Sequence, residues 1–134
     1  MNQRDLFLKE FRGESIGTIN PQSSSDENFQ NQVLRPILKL QNDLFIASFI
    51  NYITKYKKDF YSLSVEQKLI TVENAIQKDI KYRNALKGMV IALFTADEYN
   101  TYVKNSSSLN KRMMSMLTER LKSQVQLFEE KTSL

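Results

Sequence analysis

From Ser24 onward this chain carries a single proline, Pro36, and a single glycine, Gly88. Apolar residues recur there at three- and four-residue intervals, with no strand-like alternation. A stretch so poor in chain breakers reads as helix throughout. Gly13, Gly17 and Pro21 all fall in the first 21 residues and run into Gln22-Ser23-Ser24-Ser25. Residues 1–24 therefore read as a flexible N-terminal arm after a short amphipathic turn holding Leu6, Phe7 and Phe11. Residues 25–134 read as one all-α domain, a bundle of five or six helices. One domain of 134 residues buries about two-thirds of the surface of its unfolded chain.

Helix starts are marked by serine and threonine followed three residues later by glutamate or glutamine. Ser24 with Glu27, Ser64 with Gln67 and Thr95 with Glu98 each form such a capping-box pattern. The first predicted helix runs to about Phe60 with two apolar stripes. One is Phe29, Val33, Ile37, Leu40, Leu44 and Ala47; the other is Leu38, Phe45, Phe49, Tyr52, Tyr56 and Phe60. A straight helix over 28–60 would be about 50 Å long, against a globule about 36 Å across. A kink or fresh start is therefore expected near Pro36, whose ring clashes with the preceding turn. Val65, Leu69, Val72, Ile76 and Ile80 mark a second helix. After Ile80 the apolar face shifts to Tyr82, Leu86, Met89 and Leu93, so a break is expected at Asp79, itself an N-cap residue. A short helix follows Thr95. Asn105-Ser106-Ser107-Ser108 reads as loop and cap before a last helix over Leu109 to Glu130, with Met113, Leu117, Leu121, Val125 and Phe128 facing inward.

The chain has no histidine and no cysteine. It thus lacks an imidazole base, a thiol nucleophile, a disulfide and a soft metal ligand. Di-iron bundles need Glu-x-x-His motifs, and no glycine-rich phosphate loop is present. Nothing selects a catalytic carboxylate pair, and no cofactor or metal is implied. Charged residues interrupt the N-terminus where a secretory peptide needs an apolar run. No apolar run, Leu44 to Ala47 included, comes near the about 18 residues of a membrane span. The expectation is a soluble cytoplasmic protein. Its net charge of +4 is spread thinly along the sequence, with no basic block.

Four features compete as sites. Arg120 falls with Gln124 inside the apolar sector of the last helix. It is either an anchor for a carboxylate or phosphate or a buried ion pair with Asp43 or Glu98. Asp79 and Arg83 stand four residues apart with Lys87 on the same face, as a surface ion pair or an anion site. Met113, Met114 and Met116 read as core filler or as an adaptable surface. Ala85, Gly88 and Ala92 share one helix face, where glycine costs about 1 kcal/mol relative to alanine; a close helix crossing is expected there.

The runs Leu34-Arg35-Pro36-Ile37-Leu38-Lys39-Leu40-Gln41-Asn42-Asp43, Leu86-Lys87-Gly88 through Phe94-Thr95, and Leu109-Asn110-Lys111-Arg112 resemble a family of short all-helical bacterial proteins. The likeness covers Leu34 to Gln124. The resemblance implies an all-helical fold, and its members sometimes carry the label glyoxalase. Glyoxalase I proteins themselves are built from βαβββ units and bind metal through His and Glu; this sequence has neither histidine nor a strand-period pattern.

These residues point to a non-catalytic helical interaction or structural module. Two stripes on one helix, with the apolar Met89–Phe94 segment, exceed what a small bundle is expected to cover. Phe45, Phe49 and Tyr52 are therefore the expected face of a homodimer. The alternatives are a weakly nucleic-acid-associated regulator and a glyoxalase-like enzyme.

Overall fold

A computed structural model of the chain describes residues 2–17 and 20–128. Among them it has seven helices and no strand, one or two helices more than expected. The extra helix lies in the segment read as an arm. There α1 (Gln3–Arg12) starts at Asn2, whose side chain accepts the Asp5 N–H, and ends at Gly13 with φ +81°. The short amphipathic turn is thus a ten-residue helix.

The second helix, α2, covers 25–40 in three pieces: Ser25–Phe29, a π-helical turn Gln30–Leu34, and Arg35–Leu40. Pro36 explains the middle piece. The Arg35 N–H donates to the Gln30 carbonyl, five residues back. The next such bond would need an N–H at position 36, which proline lacks. The Asn31 carbonyl instead accepts the Ile16 N–H at 2.9 Å. The proline is thus absorbed by a widened turn ahead of it, and α2 stops only at Gln41 (φ −90°, ψ 6°). Gln41 divides the expected long helix, leaving α3 (Asn42–Tyr56).

The remaining helices are α4 (Val65–Gln77), α5 (Ile80–Ile91), α6 (Ala96–Lys104) and α7 (Ser106–Ser123). Ser24, Ser64, Asp79 and Thr95 cap helices as expected, each side chain accepting the N–H three residues on. Only at Thr95 is the reciprocal glutamate bond also made. The serine run 106–108 is helix and not loop. Asp26 receives Ser108 Oγ at 2.5 Å and Asn105 Nδ2 at 3.2 Å, tying the start of α2 to the start of α7. After Ser123 a 3-10 turn covers Val125–Leu127; Glu130, the expected end of the last helix, lies outside the described residues. No helix among the described residues is long and apolar enough to cross a membrane.

The last helix is the hub, packing against α2, α4, α5 and α6. Leu109, Met113, Met114, Leu117 and Leu121 are buried on it, so two of the three methionines are core. Against them lie Ile37 and Leu38 of α2, Val72 and Ile76 of α4, and Leu86 and Val90 of α5, all buried. Burying one such side chain is worth about 1.5–3 kcal/mol.

Two sequence expectations fail in this core. Phe45 and Phe49 are fully buried and Tyr52 is 7% exposed, so the residues assigned to a dimer face belong to the monomer's interior. Phe60, in a 3-10 turn, and Phe128 fold back over Phe49, with ring centroids at 5.8 and 5.0 Å. The helix crossing at Ala85, Gly88 and Ala92 is also absent. All three are exposed, and a Cβ built on Gly88 meets nothing within 4 Å.

Candidate anion-binding cleft

Arg120 lies one turn before the end of α7, and Arg35 lies in α2 just beyond the π turn. Between them opens a cleft of about 450 Å³, with Leu38 and Met116 as its apolar lining and Glu119, Ser123 and Gln124 at its edge. Asn42 and Gln124 exchange amide hydrogen bonds, Nδ2 to Oε1 and Nε2 to Oδ1, both at 2.8 Å. Gln124 Nε2 and Ser123 Oγ also donate to the Arg120 carbonyl, at 2.9 and 2.8 Å. The backbone beneath the arginine is thereby held.

The guanidinium itself is sparsely used. Arg120 Nη1 donates to Asn42 Oδ1 at 3.4 Å, a long bond. Neither Arg120 nor Arg35 makes an ion pair among the described residues. Glu119, the one carboxylate at the edge, leans toward Lys122 at 3.8 Å. Burial, then the charge of Arg35, push the Arg120 guanidinium below its usual pKa, though it stays charged at neutral pH. Two like charges face one half-open space, with five N–H donors on each fork.

Of the four residues expected to cluster, the structure brings Arg120 and Gln124 together and leaves out the other two. Asp43 is exposed, one position away from Asn42, which takes the expected place. Glu98 sits with Arg12 of α1, in a bidentate pair at 2.5 and 2.7 Å. The side chains of Arg12 and Glu98 are only 4% and 14% exposed. Burial raises the Glu98 carboxyl, but bonds from Arg12 and from the Thr95 N–H outweigh it and hold the group below the usual range. The whole of α1 is fastened in this style. Arg4 donates to the Phe94 and Ala92 carbonyls at 2.9 and 2.7 Å, and Arg12 to Leu93 at 2.9 Å. Asp5 accepts the Ala96 N–H at 3.0 Å. Arginines thus meet the carbonyls just past α5, and a carboxylate meets the first N–H of α6, as the helix dipoles favour.

Asp79 makes no bond to Arg83. Its two oxygens accept from the Tyr82 N–H at 3.1 Å and the Tyr52 hydroxyl at 2.9 Å, which holds its carboxyl below the usual range. Burial and its bond to Asp79 push the Tyr52 hydroxyl up to about 12. Among the described residues no three carboxylates form a group that could hold a metal ion. Asn42, Arg12 and the Tyr52–Asp79 bond carry no sequence signal, because each joins residues whose pairing depends on how helices dock. No family model, curated protein or solved structure matches the chain.

Proposed function

We propose that this protein is a non-catalytic helical interaction module that holds an oxyanion of its partner, a carboxylate or a phosphate, between Arg35 and Arg120. The supporting observation is that Arg120, half-buried beside a second arginine, has no carboxylate partner among the described residues. A buried charge is ordinarily paired, since desolvation otherwise goes uncompensated. A bound oxyanion supplies that partner and relieves the repulsion from Arg35. Leu38 and Met116 give an apolar seat for the carbon chain that carries it. Self-association is not carried forward, because Phe45, Phe49 and Tyr52 are interior.

The test is an NMR titration with inorganic phosphate and, separately, N-acetylglutamate amide. The Gln124 side-chain amide and the Arg120 Hε report the cleft. Saturable shifts are expected for at least one ligand, abolished in Arg120→Gln and weakened in Arg35→Gln. Linear drift with both ligands, equal in wild type and Arg120→Gln, overturns the reading.

A further inference from the structure

The end of α3 and the start of α5 meet at three contacts. The Tyr52 hydroxyl donates to Asp79 at 2.9 Å, the Tyr52 and Tyr82 rings stack at 4.3 Å, and the Ser48 and Tyr82 hydroxyls lie 3.2 Å apart. These contacts bring two basic segments to one end of the molecule. Residues 55–58 carry Lys55, Lys57 and Lys58; residues 78–83 carry Lys78, Lys81 and Arg83. The five lysines are exposed, and none of the six cations makes an ion pair among the described residues. The carboxylates within 55–59 and 78–83 are Asp59 and Asp79, and Asp79 already serves Tyr52 and Tyr82. Six cations against two carboxylates leave four positive charges. That equals the net charge of the whole chain, so the other residues sum to zero.

One exposed aromatic ring stands among these lysines. Tyr56 is 64% exposed, and its centroid lies 5.3 Å from that of Tyr52. Tyr82, Tyr52 and Tyr56 thus form a row of rings that is closed toward Ser48 and open at Tyr56.

We infer that this end of the molecule binds single-stranded nucleic acid without sequence preference. The lysines of the two segments follow the phosphates, and an unpaired base stacks on Tyr56. A duplex satisfies the same charges but hides its base faces, so the exposed ring favours the single strand. A bare polyanion site would gain nothing from Tyr56. The inference is independent of the Arg35–Arg120 cleft, which is built by α2 and α7.

The experiment is fluorescence anisotropy with a labelled oligothymidylate of about 12 nucleotides. Binding in the micromolar range is expected at about 50 mM salt. Four phosphate contacts predict a loss of about 50-fold on going to about 200 mM. Lys57→Glu/Lys81→Glu should abolish binding with the circular dichroism spectrum unchanged. Lys104→Glu/Lys111→Glu, the same charge change elsewhere, should shift the Kd less than about threefold. Tyr56→Ala should weaken binding about tenfold while leaving the salt slope as it was. Arg120→Gln should leave it unchanged, which separates this site from the cleft. Several results overturn the inference: no binding at about 50 mM salt, a Tyr56→Ala protein that binds like wild type, or a duplex bound as tightly as the single strand. Phosphatidylserine vesicles bound in preference to the oligonucleotide also overturn it, in favour of a membrane surface.

Discussion

At Gly17 the backbone stands at φ +98°, and a Cβ there would come within 2.9 Å of the Asn31 side chain. Both the conformation and the space require glycine. Gly88 faces neither demand: it lies in a helix with open space around it. Gly88→Ala should therefore stabilise the protein by up to about 1 kcal/mol, and Gly17→Ala should destabilise it by about 1–3 kcal/mol. Urea melts of the two variants read both signs, and a destabilised Gly88→Ala would restore the close crossing. Glu98 sets a pH dependence at the same scale. Its carboxyl is held below its unfolded value of about 4.3. The stability it contributes is complete above that value and is lost as pH falls through the folded one. Wild type should thus weaken progressively in acid below about pH 4.3, and Glu98→Gln should be less stable at neutral pH yet flatter across that window. Thermal melts in a pH series measure it; parallel profiles would remove Glu98 as the acid-sensitive group.

Helix ends determine how the elements join. Thr95 is 1% exposed and accepts the Glu98 N–H at 3.2 Å, while its own N–H goes to Glu98 Oε1 at 2.8 Å. Thr95→Val keeps the shape but leaves the Glu98 N–H without its acceptor. A loss of about 1–2 kcal/mol is expected, measurable by denaturant titration. A neutral Thr95→Val would mean that water replaces the hydroxyl. The same junction shows why α1 is more than an appendage in this fold. Its arginines and Asp5 fill the acceptor and donor positions that α5 and α6 leave open across their short connection. At the other element boundary, Pro36 stands in the first turn of the α segment that restarts at Arg35, and the π turn before it releases one carbonyl to Ile16.

On the scale of the whole molecule, Phe49 has no exposed surface and touches Tyr52, Phe60 and Phe128. Phe49→Glu would place a carboxylate among the rings of Tyr52, Phe60 and Phe128. It should abolish the cooperative thermal transition, read by circular dichroism, and not yield a folded monomer from a dimer. A folded Phe49→Glu protein with half the wild-type mass by light scattering would move the stripe back to an interface. The two proposed sites are electrostatic, the Arg35–Arg120 cleft and the basic end around Tyr56, and each borrows one residue of the second apolar stripe, Leu38 in the cleft and Tyr56 at the basic end.

What could be read along the chain was local. Helical periodicity, the caps at Ser24, Ser64, Asp79 and Thr95, and the inward positions Met113, Leu117 and Leu121 depend on neighbours within one or two turns. Those neighbours are the sequence itself. The all-helical class follows from them, as does the placement of Arg120 with Gln124 one turn apart. Tertiary structure alone decided what faces each helix. It turned Phe45, Phe49 and Tyr52 inward, opened the space at Gly88, took Glu98 to Arg12 across 86 positions, and left Arg120 beside Arg35 instead of a carboxylate. Periodicity reports that a face is apolar or charged, but the partner comes from the packing of distant elements, whose contact energies have no local signature.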